Sequence, residues 1–346
     1  MMKIFTAIHC IWMLIIVTAL MVDLSSVDAL LPLPKVQRII RKINRHGPYL
    51  GIVVPNAFEM DPLLQSSSFN VSKTLDVAGR RFHIGSIHKH RVIIVMSGLG
   101  MLNSGITTQL LLSFFEVKGV VHYGIAGNAN SSLHIGDVTI PRYWAHTGLW
   151  NWQRYGDGPS DELSLESNGD YTRQIGYLDF ANFTTPSNQS SGNLLNNVWY
   201  QPEEVFPVNG TPEVRQHAFW VPVDEHYYQI AKSLETLKLE GCLNSTTCLS
   251  NTPKAVLVER GSSANVFVDN AAYRNFLYTK FNISPIDMES AAVALVCLEQ
   301  GLPFIAIRSL SDLAGGGTSE SNQAAVFAGL ASQNAVTAVI QFIKDL

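Results

Sequence analysis

The sequence predicts an α/β protein built on one central mixed, mainly parallel twisted sheet flanked by helices. Three observations carry this reading. Candidate strands and helices alternate along the chain. The candidate strands are unbroken apolar runs, as in strands covered on both faces, rather than alternating apolar and polar residues. Glycine-rich or acidic turns follow several strands, at the sheet edge where such folds bind ligands. With 346 residues, 47% of them hydrophobic, the chain is long enough to enclose one large core.

Gly51-Ile52-Val53-Val54 reads as the first buried strand. Arg80 to Ile87 and Arg91 to Ser97 form a strand pair joined at His88-Lys89-His90. Gly98-Leu99-Gly100 breaks the second strand, and Ser104 to Glu116 follows as a helix with Leu110, Leu111, Phe114 and Phe115 at core spacing. Gly119 ends that helix. Val120 to Tyr123 is the next strand, stopped by Gly124-Ile125-Ala126-Gly127, and Asp137 to Ile140 is another, ended by Pro141. From Trp144 to about Pro222 the chain turns polar and aromatic, rich in Asn, Ser, Gly and Pro, and reads as a long surface excursion. Asp224 to Leu239 is a helix, Ala255 to Glu259 a strand, Glu289 to Gln300 a helix and Pro303 to Ser309 the last core strand. Gly315-Gly316-Gly317 is a flexible hinge before a long helix over Ser321 to Ile343. No internal repeat is present.

Residues 1–29 read as a signal peptide and 30–346 as the mature domain. Lys3 precedes an apolar stretch from Ile4 to Val22, and Val27 and Ala29 suit cleavage after Ala29. An uncleaved anchor is the rival reading. Asn70, Asn130, Asn182, Asn188, Asn209, Asn244 and Asn282 each head an Asn-x-Ser/Thr acceptor, which agrees with export as a secreted, extracellular or vacuolar glycoprotein. Cys242 and Cys248 flank a short polar loop and read as a local disulfide in an oxidising compartment. Cys297, within an apolar helix, reads as a buried thiol.

A net charge of −4 excludes a strong basic field for nucleic acid or anionic lipid, and no stable membrane association is expected once the signal is removed. The ten His are scattered without His-Glu-x-x-His spacing, so no metal site is expected. Neither a Gly-x-Ser-x-Gly elbow nor a phosphate-loop lysine is present. The turns Ser97-Gly98-Leu99-Gly100 and Gly124 to Gly127 present backbone amides to an anion or a sugar hydroxyl, or are simply tight strand-to-helix turns. Neither is a dinucleotide fingerprint, and no cofactor is implied.

Two segments carry chemistry. Asp287-Met288-Glu289-Ser290 and Arg308-Ser309-Leu310-Ser311-Asp312 each place a carboxylate at the end of a strand. A third carboxylate, Glu59 in Asn56-Ala57-Phe58-Glu59-Met60, follows the first strand. Breaking an N-glycosidic bond builds positive charge on the sugar and negative charge on the leaving base. A carboxylate at the sugar hydroxyls, a proton donor at the base and a base for water answer those needs.

These motifs resemble the purine nucleoside phosphorylase/uridine phosphorylase superfamily from about Gly51 to Leu346, with an enzyme pattern nearest its methylthioadenosine/adenosylhomocysteine nucleosidases. The mature chain also resembles the plant secretory branch, with bark and vegetative storage proteins, wound-inducible relatives and cytokinin-riboside phosphorylases. The resemblance implies a nucleoside phosphorylase-like fold and a small-molecule nucleoside substrate. It assigns Glu59 to activate water, Glu289 to hold ribose hydroxyls, Met288 to pack under the sugar, and Ser311 and Asp312 to meet the purine near N7. Arg308 orders the site. Phe267 stacks on the base, while Ser97, Gly98, Leu99 and Asp287 line the sugar side. A homo-oligomer is the family habit.

The phosphorylase branch carries arginines for phosphate where this chain has Leu64 and His122. His122, Gly124 and Arg80 are the candidates left to bind phosphate as a co-substrate, which a dianion needs charge-assisted donors to do. Hydrolysis is therefore expected over phosphorolysis. The rivals to an enzyme are a storage or wound-response protein that keeps the fold, and a nucleoside binder without turnover.

Overall fold

The computed structural model describes residues 33–152, 177–179, 197–315 and 324–346. The chain divides into residues 1–47 and 48–346. The first unit contributes helix α1 (Leu33–Asn44). Residues 1–29, read from the sequence as a signal peptide, and Asn182, Asn188, Gly316 and Gly317 lie outside the described residues.

The second unit carries the predicted α/β fold. Ten strands form one sheet in the order β12-β6-β13-β14-β5-β1-β4-β3-β2, with β15 against β5 and β6. At its centre β1 (Tyr49–Val54) lies parallel to both β4 (His90–Met96) and β5 (Val117–Asn128). β5 outruns β1, and its free far edge takes β14 (Ile283–Asp287) antiparallel at Gly127 and Asn128. β15 (Phe304–Leu313) runs parallel along the other edge of β5. β13 (Ala255–Ser263) joins β14 to β6 (Val138–His146), and β6 pairs with β15. Five strands therefore close into a ring, which leaves no open edge at the heart of the sheet.

The centre is apolar because these strands are apolar on both faces. Leu50, Ile52, Val53, Ile93, Ile94, Val120, Val121, Ile305 and Ile307 are all fully buried. Each such side chain contributes about 1.5–3 kcal/mol by leaving water. Helix α7 (Ala324–Asp345) covers β15 and β5, and α3 (Met101–Phe114) packs on α6 (Ser290–Gln300).

The boundaries differ from expectation in instructive places. Gly124 to Gly127 is not a turn but the continuation of β5, held in register by β15. Pro141 does not end β6, which reaches His146. It pairs with Val258 of β13, while the opposite edge of β6 is used by β15 only at Val138 and Thr139 and by β12 (Val221–Pro222) only at Tyr143 and Trp144. A missing N–H is tolerated where no second strand needs it. Trp144, expected to start the surface excursion, is fully buried in the core. β15 runs past Ser309, with a bulge between Leu310 and Asp312. The expected Asp224–Leu239 helix divides into α4 (Glu225–Ala231) and a 3₁₀ turn over Lys232–Thr236.

Four elements carry no sequence expectation: α1, α2 (Ala57–Leu64), β2 (Phe69–Val77), which extends the β3 (Arg80–Ile87)–β4 pair, and α5 (Ala271–Phe281). Within the excursion, β7 (Trp150–Trp152), β8 (Tyr177–Asp179) and β9 (Asn197–Tyr200) form a small antiparallel sheet. β10 (Glu203–Val205) pairs with β11 (Gln216–Ala218). A disulfide joins Cys242 to Cys248, and Cys297 is a buried free thiol.

Candidate active site

Parallel strands deliver their C-terminal ends to one crevice, so residues remote in sequence meet there. A cavity of about 210 Å³ is lined by Asn56 and Glu59 after β1, Leu99 after β4, Ile125 to Gly127 of β5, Val266 to Val268 after β13, Asp287 to Glu289 at the end of β14, and Ser311 and Asp312 of β15. The three carboxylates singled out from the sequence, Glu59, Glu289 and Asp312, all face it.

Glu59 owes its place to the cap of α2. Asn56 closes the helix N-terminus by accepting the Glu59 backbone N–H at 3.1 Å, and its Nδ2 donates to Glu59 Oε2 at 2.9 Å. Glu59 Oε1 accepts the Ile125 N–H at 2.7 Å. The carboxyl is 2% exposed. Burial, opposed by Arg308 and the Ile125 N–H and helped by Glu289 and Asp287, raises its pKa from 4.5 to about 7.

Glu289 precedes α6. Its Oε1 accepts the Gly100 N–H at 2.9 Å, and its Oε2 lies 3.3 Å from the Met288 N–H. Gly100 reaches this position at φ +92°, and a Cβ there would meet Asn265 Oδ1 at 2.9 Å, so the turn after β4 requires glycine. Burial raises the Glu289 pKa, Arg308 opposes the rise and Asp287 adds to it. Asp312 accepts the Ser311 hydroxyl at 2.6 Å. Burial raises its pKa too, against the Ser311 hydrogen bond and with Asp269 assisting.

Arg308 organises the floor. It is fully buried, with Nε 2.7 Å from Asp287 Oδ2 and Nη2 3.6 Å from Glu289 Oε2. Asp287 lines the cavity but has its oxygens committed elsewhere. Oδ2 takes Arg308 and the Ser290 hydroxyl, and Oδ1 takes the Ser263 hydroxyl and the N–H groups of Glu289 and Ser290. It acts on the shape of the site rather than on a ligand. His122, Asp287 and Glu289 bring ligand atoms within 4.8 Å of one another, a spacing that would suit a metal ion. The Arg308 guanidinium contacts all three and is already the cation there.

Other sequence candidates lie elsewhere. Ser97 is 1% exposed, with its hydroxyl 2.9 Å from the Gly98 carbonyl and 3.3 Å from that of Val54. Neither Ser97 nor Gly98 lines the cavity. Arg80 Nε donates to Thr107 Oγ1 at 2.8 Å, and its Nη2 donates to Asn103, which ties it to α3 away from the cavity. His122 is fully buried behind Arg308. Gly124 is the point of close approach for two side chains. A Cβ there would stand 2.7 Å from Glu59 Oε1 and collide with Arg308 Nη1. None of Arg80, His122 and Gly124 presents an anion site to the cavity. Leu99, Phe267, Met288 and Ser311 do line it, Phe267 being 72% exposed at the rim.

Asn56 and the Ile125 N–H are contributors that the sequence reading lacked. The Asn-x-x-Glu spacing of a helix cap was a visible signal for the first. The second needed the strand register.

The sequence profile of the phosphorylase superfamily matches residues 49–344. Bark storage protein A of Populus deltoides is 32% identical over 275 residues, 79% of this chain and 80% of that protein. The 5'-methylthioadenosine/S-adenosylhomocysteine nucleosidase of Halalkalibacterium halodurans is 26% identical over 268 residues, 77% of this chain and 86% of that protein. Among solved structures, futalosine hydrolase of Helicobacter pylori superposes with a TM-score of 0.58 at 19% identity, covering 88% of this chain and all (100%) of that one. The 5'-methylthioadenosine/S-adenosylhomocysteine nucleosidase of the same organism, bound to butyl-thio-DADMe-Immucillin-A, gives 0.59 at 19% identity, covering 87% and 100%. The solved structures share the fold with this chain.

Proposed function

The chain belongs to the phosphorylase superfamily, and from that premise we propose that it cleaves the N-glycosidic bond of a purine-type nucleoside with water as the acceptor. The observation that carries this reading is the convergence of Glu59, Glu289 and Asp312 on one cavity of about 210 Å³. In the reaction the bond between C1' of the sugar and the base nitrogen breaks, and its electron pair leaves with the base. Asp312, whose burial favours its protonated form, gives its proton to the base at N7. Glu289 accepts hydrogen bonds from the ribose hydroxyls and stabilises the cationic sugar. Water attacks C1' and yields its proton to Glu59, whose pKa of about 7 suits a base at neutral pH. Met288 packs under the sugar with Leu99 beside it, and Phe267 covers the base.

Water is preferred over phosphate because, among the described residues, no lysine, arginine or histidine lines the cavity. A phosphate dianion would face carboxylates without a cation to offset them. Asp312 also lines a second cavity of about 200 Å³, with Leu249, Ser250, Asn251 and Phe327. That space beyond Asp312 suits a substituent on the 6-amino group of the base, as in a cytokinin riboside. The protein would act in the secretory pathway as a glycosylated homo-oligomer. Leu99 and Phe267 at the rim, with Leu102 and Ile106 exposed on α3, favour closure by a second subunit. The 32% identity to bark storage protein A favours a second reading, a reserve protein without turnover.

The test is incubation of the purified protein with adenosine, inosine, methylthioadenosine and isopentenyladenine riboside, each with and without phosphate, followed by chromatography of the free base. Release independent of phosphate is expected, and Glu289→Gln should abolish it without unfolding the protein. Release that requires phosphate would reverse the choice of acceptor. No release from any nucleoside would leave the storage reading.

A further inference from the structure

His122 stands in the middle of β5 and is fully buried. Its Nδ1 is 2.8 Å from the Val53 carbonyl oxygen. A carbonyl only accepts, so Nδ1 carries the proton. Its Nε2 faces Arg308 Nη2, and a guanidinium only donates, so Nε2 is bare. The imidazole is thus neutral and in one tautomer. Burial first, and the Arg308 charge second, hold its pKa well below the usual value, against the Val53 hydrogen bond.

The donors of Arg308 are shared out around this contact. Nε goes to Asp287 and to Ser290 Oγ, the latter at 3.1 Å, and Nη1 donates to the Ile125 carbonyl at 3.3 Å. Nη2 gives one of its two hydrogens to His122 and stays 3.6 Å from Glu289 Oε2, within ion-pair range but beyond hydrogen-bond length. Less than an ångström of movement would tighten that loose ion pair into a charge-assisted hydrogen bond of about 2.8 Å. The Glu289 carboxylate would then be engaged by Arg308 instead of by a ligand.

We propose that His122 is a positioning residue of the site: as a neutral acceptor it holds the Nη2 edge of Arg308 away from Glu289, and so leaves the Glu289 carboxylate open to the hydroxyls of a substrate sugar. This rests on the nucleoside-cleaving reading for its kinetic consequence only. The charged groups facing the imidazole are Arg308 from β15, Asp287 from β14 and Glu289 at the head of α6.

Two substitutions separate the contacts. In His122→Gln the amide reaches about as far as Nε2 and can still accept from Arg308. In His122→Asn the shorter amide reaches Val53 but not Arg308. Gln should keep KM within about threefold of the wild type. Asn should raise KM about tenfold, the loss of roughly one hydrogen bond at the sugar, with a smaller change in kcat. Both variants are polar, Gln being near the volume of imidazole and Asn smaller, and circular dichroism is used to check that each is folded. The tautomer is read without turnover, from ¹⁵N imidazole shifts of the ligand-free wild type, where Nε2 should be unprotonated at pH 7. Equal KM for Asn and Gln, or a protonated Nε2, would overturn the positioning role. Absence of base release from the wild type would count against the proposed function alone.

Discussion

Replacing Glu59 by Gln should make the protein more stable at pH 8 while removing its activity. The wild-type carboxyl is 2% exposed, and its pKa rises from 4.5 to about 7 on folding. That rise corresponds to ~3 kcal/mol of destabilisation when the group is ionised in the folded state. The folded state binds the proton more tightly than the unfolded state. Stability is therefore full below 4.5 and falls as the pH climbs through about 7. Glutamine carries no such slope. Its oxygen can still accept the Ile125 N–H, but its amide group meets Asn56 Nδ2 donor to donor, at a cost of about 1 kcal/mol. The variant should gain about 2 kcal/mol over the wild type at pH 8, and most of that gap should close at pH 5. Denaturant unfolding at the two pH values measures it, and base release measured in parallel should fall about 10²–10⁴-fold. A stability difference that does not change between pH 5 and pH 8 would refute the buried, pKa-shifted carboxyl. Retained turnover would refute its role as the base for water.

Asp312→Asn keeps a polar group beside Ser311 but cannot transfer a proton, so kcat should fall about 10²–10⁴-fold with little change in the unfolding midpoint. Gly124→Ala puts a Cβ 2.7 Å from Glu59 Oε1 and against Arg308, and should cost about 1–3 kcal/mol in denaturant unfolding together with most of the activity. Protein secreted from eukaryotic cells should carry glycan at Asn70 and Asn244, both exposed, and none at Asn130. Asn130 is only half-exposed, and its Nδ2, the atom a glycan would be joined to, donates to Ser284. Peptide mass spectrometry after enzymatic deglycosylation decides it.

The local signals were legible because they are local in origin. An apolar run such as Ile52 to Val54 or Ile305 to Ile307 has one low-energy destination, a strand covered on both faces, and the structure buries both completely. The acidic motifs after β14 and in β15 were legible for the same reason, since a carboxylate at the end of a buried strand stands out from its apolar neighbours. The helix cap by Asn56 was written in four consecutive residues.

What the sequence could not determine is which way each side chain faces. Gly124 to Gly127 looks like a turn in one dimension. It is a strand because β15 and β14 hydrogen-bond to it, and those partners lie far along the chain. His122 and Arg80 look like cations for an anion, yet the register of β5 and β3 points them at Arg308 and at α3. The basicity of Glu59 is likewise invisible until Arg308, Glu289 and Asp287 arrive from two other segments and water is excluded. By itself the sequence determined the fold class and where the acids fall along the chain, because backbone sterics and hydrophobic patterning act over a few residues. Tertiary structure alone decided which groups share the cavity and with what charge, because strand register, burial and Coulomb energy depend on neighbours that only folding supplies.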